Sequence, residues 1–494
     1  MKQRPVSAVL TFALLVTTAS FSQTNSPNKP TWWQKYQTLL NNGNGGAAGT
    51  SNSLAAGPNV DVSNECGPQS ETYVAINEKS PKNLAGGSNE IFRDPMRGYA
   101  SFDGGLSWTG VDLPLPAPLS GANDSRFGSD PSLAFDTLGN LYYSYIVVFF
   151  GGGNGVNGTE MAVAKSTDGG LTYPSVSYFS FATGGDHFND KPMITTDRNA
   201  RSPFQNNVYV TWDAASGGSS DGGVRVGASV DGGATFAVTR VDAPSGPSQS
   251  IAAVPFAGPN GEVYVAWNDY GANTIAFNRS FDGGGSWGTA SVAATKQLAF
   301  DIAIPAESFR GALEYPSCDV DRSKGAHRGR LYCAYMDVTS TGNTDIKLIS
   351  SDDQGSSWST PIAVTDPLLN VDRFNQWLAV DAVTGNVNVS FYDTRNDTTG
   401  HRYQTDIYLS QSTNGGASFS TPNTRVSNVS SNEHDCNGTY PCSAIDYGNQ
   451  QRDYAGLAAY GGYSHPFWTD SRRNQQPLPG CNAAMEEVFT ATVQ

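Results

Sequence analysis

The octapeptide Ser101-Phe102-Asp103-Gly104-Gly105-Leu106-Ser107-Trp108 recurs down the chain, at Ser166 to Tyr173, Ser229 to Phe236, Ser280 to Trp287, Ser351 to Trp358 and Ser412 to Phe419. All six fit Ser-x-Asp-x-Gly-x-Ser/Thr-aromatic, and Asn414 alone departs at the Asp position. Each fixed position suits a tight hairpin. The Asp carboxylate accepts backbone N–H groups across the turn, Gly supplies a positive φ, and the aromatic ring packs back between neighbouring sheets. The copies start 65, 63, 51, 71 and 61 residues apart, a period that marks an array of β-units rather than unrelated domains.

In these boxes the chain resembles the Asp-box proteins, the β-propeller superfamily that includes the sialidases, over residues 58 to 494. Each unit reads as four strands. In the second they fall at Pro131 to Phe135, Asn140 to Val147, Met161 to Lys165 and Thr172 to Phe179, with the box between the last two. Six boxes imply six units, but three further strands follow the last one, at Tyr454 to Tyr460, Ser464 to Asp470 and Glu487 to Val493. The expected fold is therefore an all-β propeller of seven four-stranded blades. Its ring is closed by an N-terminal strand, Asn59 to Ser63, in the last blade. Six blades is the alternative, because sialidases have six.

Residues 1 to 22 carry Lys2 and Arg4, an apolar run from Val9 to Val16 and then small residues, the pattern of a secretory signal peptide. Residues 23 to 58 read as a flexible polar segment, with one short helix at Trp32 to Leu40, and 59 to 494 as the propeller. No stretch is long and apolar enough to span a bilayer. Export to the periplasm or the exterior is the expected location. The net charge of −15, about −17 once the signal is removed, disfavours nucleic acid as a partner. Six cysteines in an exported chain suggest three disulfides, with fifteen pairings open. Cys318 and Cys333 lie on adjacent expected strands and Cys436 and Cys442 bracket a short loop, which leaves Cys66 and Cys481 beside the ring closure.

In propellers of this resemblance the boxes occupy the turns between the third and fourth strands, and ligands bind at the opposite rim. The expected partner is thus a glycan or glycoconjugate, bound by a monomer. Two sets of residues sit at that rim. Second strands end in Trp212-Asp213, Trp267-Asn268-Asp269, Tyr335-Met336-Asp337, Tyr392-Asp393 and Trp468-Thr469-Asp470, and Arg395 and Arg472 follow the last two. First strands begin at Asp130, Asp190-Lys191, Glu314-Tyr315, Arg373 with Trp377, and Arg452-Asp453-Tyr454.

A retaining sialidase needs three arginines to clamp a carboxylate, a Tyr made nucleophilic by an acidic partner, and an Asp as acid. The resemblance implies Asp190, Glu314, Tyr315, Asp393 and Asp453 as catalytic candidates. It implies Lys191, Arg310, Arg373, Trp377, Arg395, Arg452, Tyr454 and Arg472 for substrate binding. Phe92-Arg93-Asp94-Pro95 looks like the family's first-arginine motif but falls in a loop and lacks its Ile. Calcium held by channel carboxylates is a further option, although no Asp-x-Asp-x-Asp-Gly loop occurs. His187 beside Asp190, with Tyr454, would also permit acid–base chemistry of a polysaccharide-lyase kind. The functional expectation is a secreted sialidase-like glycoside hydrolase acting on terminal sugars. The alternative is a non-catalytic extracellular propeller that binds glycans or proteins.

Overall fold

The computed structural model describes residues 54–494 apart from 92, 120–124, 151–155, 184–187, 216–221, 243–247, 309–310, 435–450, 452, 475–477 and 482–485. The expected signal peptide, the helix at Trp32 to Leu40, Phe92, His187, Arg310, Arg452, Cys436 and Cys442 lie outside the described residues.

Seven antiparallel sheets of four main strands each follow one another along the chain. Their innermost strands are Gln69–Ile76, Ser125–Phe135, Phe188–Thr196, Ser250–Ala257, Ser317–Val320, Arg373–Val380 and Gly456–Tyr460. The seventh sheet has no box and takes its outer strand from the start of the propeller. Val60–Asp61 pairs with Glu487–Thr490 through Val60 to Thr490 and Asp61 to Phe489. Ala55 and Gly57 add backbone hydrogen bonds to Gln494 and Thr492. The Cys66–Cys481 disulfide, 415 residues apart in sequence, ties the same two chain regions. Cys318 and Cys333 bond across the first two strands of blade five.

The boxes fold as their chemistry dictates. Asp103 Oδ1 accepts the Ser101 hydroxyl at 2.8 Å and the Leu106 and Ser107 N–H groups at 3.0 Å, and Oδ2 accepts the Ser107 hydroxyl at 2.6 Å. Asn414 keeps the turn by accepting from Ser412 and Ser418 through Oδ1 while its amide donates to the Ser418 hydroxyl. Beyond the turn, the box aromatics seal each blade to the one before it. Phe236 stacks on Phe179 at 4.3 Å, Trp358 meets Phe277 at 5.3 Å, and Trp108 meets Phe467 of blade seven at 5.5 Å. Such pairs add about 0.5–1.5 kcal/mol each beyond the area they bury. The box glycine beside the seam has no room for a side chain. Gly355, at φ +82°, would place a Cβ 2.2 Å from the Phe277 ring.

Candidate functional site

The inner strands share one irregularity at the end away from the boxes. In blades one, two, three, four and six the register to the second strand breaks after Ser70, Ser129, Asp190, Ile251 and Phe374. The next residue is left-handed every time: Glu71 (φ 50°), Asp130 (62°), Lys191 (52°), Ala252 (58°) and Asn375 (48°). A bulge bends its strand and re-aims the extra side chain. Left-handed backbone at non-glycine residues is costly and persists where the surroundings impose it. Here repetition around the ring gathers the bulge side chains of blades one, two and three.

Lys191 lies at the middle of that gathering. Its Nζ is 3.0 Å from Glu71 Oε1, 2.9 Å from Asp130 Oδ1 and 2.6 Å from Asp453 Oδ2. Because all three oxygens touch one nitrogen, any two lie within about 6 Å, which includes the spacing of a retaining carboxylate pair. The Tyr315 hydroxyl donates to Asp453 Oδ2 at 3.3 Å. Lys191 Nζ sits 6.0 Å from the Tyr315 ring and 5.7 Å from that of Tyr454, whose hydroxyl donates to the Pro131 carbonyl. Asn89 braces the acids, donating to Glu71 Oε2 and accepting the Asp130 N–H. Trp377 packs beneath, 6.0 Å from Tyr454 and 5.3 Å edge-to-face from Tyr73.

Lys191, Glu71, Asp130, Asp453, Tyr315 and Tyr454 are all buried, with no more than 5% of their surface exposed. Burial pushes the Glu71 carboxyl well above the carboxylate range, and Asp130 and Asp453 push it further against the opposing pull of Lys191. For Lys191 burial acts to lower the pKa, but Asp130, Asp453 and Glu71 outweigh it and hold the ammonium charged. Burial, with Glu71 and Asp130, likewise keeps the Tyr454 phenol protonated. The cluster thus combines a carboxyl that keeps its proton, a fixed positive charge, and a phenol in contact with a carboxylate.

The other sequence candidates have different partners. Glu314 is adjacent to Tyr315 in the segment between the strands Ala312–Leu313 and Ser317–Val320, and its carboxyl lies 3.8 Å from Lys296 Nζ. Burial pushes the Glu314 carboxyl up to about 8. The acidic partner of Tyr315 is thus Asp453, not the neighbouring Glu. Asp190 accepts the Lys191 N–H through its carboxylate.

Arg373 is fully buried and donates to Asp393, Asp345 and the Asp366 carbonyl. Arg395 donates to Asp393, Asp366 and Asn423 and lies over the Tyr408 ring. Arg472 donates to Asp470, Asn428 and Asn59 and lies over Phe489. These three guanidinium groups are bound to partners in blades five, six and seven and do not share a partner with the Lys191 cluster. Arg93 pairs with Asp112 and Glu65. The carboxylates that end the second strands serve as fasteners. Asp213 accepts the Ala252 N–H of the next blade, and Asp337 accepts the Gln297 and Leu298 N–H groups and Lys347. Among the described residues, no group of three His, Cys, Asp or Glu side chains is arranged to hold a metal ion.

Glu71 is the cluster member that the sequence patterns do not single out. Its signal is positional. Residues 71, 130, 191, 252, 315 and 375 recur every 59 to 63 residues, a second register that runs between the boxes.

No protein-family model matches this chain, and no curated protein sequence does. Solved structures do. The leech intramolecular trans-sialidase is 11% identical, over 70% of this chain and 67% of that one, with a TM-score of 0.44. The NanB sialidase of Streptococcus pneumoniae is 10% identical, over 72% and 69%, at 0.47. An ulvan lyase, a polysaccharide lyase solved with a bound glucuronate–sulfated rhamnose segment, is 13% identical over 88% and 95%, at 0.47.

Proposed function

We propose that the protein is a secreted carbohydrate-active enzyme, a glycoside hydrolase whose chemistry takes place at the Lys191 cluster. The carrying observation is the joining of three carboxyl groups and the Tyr315 phenol around one ammonium, at the end of the channel away from the boxes. In this reading Glu71, held protonated, gives its proton to the glycosidic oxygen as the leaving group departs. The Tyr315 oxygen forms the bond to the anomeric carbon, and its proton passes to Asp453. Lys191 stabilises the negative charge that develops on the phenol oxygen and on Asp453. Water then attacks the glycosyl–tyrosine bond and loses a proton to the Glu71 carboxylate, while Asp453 returns its proton to Tyr315. Secretion is supported by the two disulfides, which persist in oxidising compartments.

The deep burial of the cluster favours a second reading, a non-catalytic glycan-binding propeller whose axis is plugged by an ion network. A panel of fluorogenic aryl glycosides, a sialoside included, separates the two. Turnover of at least one substrate is expected, with kcat reduced about 10²–10⁴-fold in Tyr315→Phe and Asp453→Asn proteins of unchanged circular dichroism. Absence of turnover across the panel, or turnover that survives both substitutions, overturns the enzyme reading. Glycan-array binding without turnover would establish the second.

A further inference from the structure

The sixth box carries Asn where the other five carry Asp, and glycine follows it, so its turn contains the pair Asn414-Gly415. The fold imposes that glycine. Gly415 has φ +69°, and a Cβ there would come 2.4 Å from Cδ2 and Nε2 of the His327 ring in blade five. The turn also sets the surroundings of the amide. Asn414 Oδ1 accepts the Ser412 hydroxyl at 2.8 Å and the Ser418 N–H at 3.1 Å, while Nδ2 donates to the Ser418 hydroxyl at 2.8 Å. The Gly415 N–H donates to no acceptor among the described residues.

An asparagine followed by glycine can close on itself. The Gly415 nitrogen adds to Cγ of Asn414, the Cγ–Nδ2 bond breaks, and ammonia leaves with the proton of that nitrogen, which gives a five-membered cyclic imide. Water then opens the imide at Cγ and leaves an aspartate. The nucleophile is held one residue from its target, and glycine has no side chain to obstruct it. The box adds two donors already seated on Oδ1, where negative charge develops both when the nitrogen adds and when water opens the ring at Cγ. The two other Asn-Gly pairs among the described residues lack this arrangement. Asn260 donates to Glu262 through its backbone N–H and its amide, and the Gly261 N–H is taken by the Gly258 carbonyl at 3.3 Å. After Asn157, Gly158 lies in a strand paired on both sides, to Phe149 and to Thr183.

We propose that Asn414 is a self-modification site: in the folded protein it loses its amide nitrogen, and the sixth box becomes an Asp box like the other five. The product fits the turn. In those five boxes the second carboxylate oxygen accepts the Ser or Thr hydroxyl at 2.6 Å, so at position 414 the Ser418 hydroxyl has only to turn its proton toward the new oxygen. The hydroxyls and N–H groups of Ser286 and Ser357 hold Asp282 and Asp353 at about 2, and the same bonds keep the new carboxylate ionised. Conversion thus adds one negative charge to a turn whose Gly415 carbonyl accepts Arg330 Nη1 at 2.8 Å. It needs neither a substrate nor the Lys191 cluster, and so stands apart from the glycosidase reading.

The folded full protein is aged at pH 5 and at pH 8 and followed by peptide mass spectrometry and ion exchange, with Asn414→Asp marking the product and Asn414→Gln as the control. Conversion of Asn414 to aspartate is expected, faster at pH 8. It should run at least about 10-fold faster than at Asn157 or Asn260, the factor that one hydrogen bond gained in the transition state is worth. The new acidic form should co-elute with Asn414→Asp and be missing from aged Asn414→Gln. Ser412→Ala removes one donor from Oδ1 and should slow the reaction about 10-fold. Should that variant fail to fold, hydroxylamine, which cleaves the chain at a cyclic imide, answers with the wild-type protein: a cut after residue 414 is expected. An amide that survives ageing, conversion no faster than at Asn157 or Asn260, a product that is chiefly isoaspartate, a faster reaction in Ser412→Ala, or no hydroxylamine cut at 414 overturns the proposal.

Discussion

Replacing Lys191 with Met keeps the volume of the side chain and removes the only ammonium that faces Glu71, Asp130 and Asp453 among the described residues. The three pairs span 2.6–3.0 Å between side chains no more than 5% exposed, so no discount for solvent screening applies. Removing one partner of such a buried network costs about 3–5 kcal/mol, because the remaining charges are left uncompensated. The loss must also depend on pH. Glu71 already has a folded-state pKa above its unfolded value, so the stability it contributes is present below about 4.5 and is lost as pH rises through the folded value. Without Lys191 the Glu71 carboxyl rises further, and each additional proton kept by the folded state steepens that loss by about 1.4 kcal/mol per pH unit. Urea denaturation of wild type and Lys191→Met at pH 5 and pH 8 measures it. A difference of about 3–5 kcal/mol is expected at pH 8, shrinking toward pH 5. A loss below about 1 kcal/mol at pH 8, or one independent of pH, would refute the electrostatic account of the cluster.

Two further outcomes follow from the seam of the ring. In the chain-entropy model a disulfide closing 415 residues contributes about 6 kcal/mol against about 3 kcal/mol for one closing 15, so Cys66→Ser/Cys481→Ser should lower the guanidinium midpoint more than Cys318→Ser/Cys333→Ser; equal shifts would contradict it. Glu487 and Glu90 are pushed up to about 8, by burial first and then by Asp61 and Glu65 respectively. The stability from their neutral forms is present below about 4.5 and lost as pH climbs through 8, so Glu487→Gln should show a smaller fall in Tm between pH 6 and 9 than wild type. An unchanged fall would show that Glu487 does not titrate in this range.

The boxes were legible because their chemistry is local: eight consecutive residues hold every donor and acceptor of the turn. The seventh blade was legible by remainder, since Tyr463–Asp470 and Glu487–Thr490 carry strand patterns without a box. The site was only half legible. Lys191, Tyr315, Asp453 and Tyr454 stand out as polar residues at the starts of inner strands, but what brings Glu71 and Asp130 onto the Lys191 nitrogen is a bulge repeated in blades one, two and three. A left-handed Glu71 inside Gln69-Ser70-Glu71-Thr72 carries no local mark, because Glu gains nothing from that conformation except the lysine opposite. The arginines misled for the opposite reason. Arg373, Arg395 and Arg472 have the residue type that a carboxylated sugar needs, yet each lies within reach of an Asp at the end of a second strand, and ion pairing there satisfies them inside their own blades.

Covalent trapping decides whether the chemistry belongs to the Lys191 cluster at the end away from the boxes. A fluorinated glycosyl fluoride of the sugar that the protein turns over slows hydrolysis of the glycosyl–enzyme bond, and peptide mass spectrometry then locates it. A single label on Tyr315 is expected, absent from the Tyr315→Phe protein. A label on any residue outside the cluster, or turnover with no covalent species under trapping conditions, would contradict it.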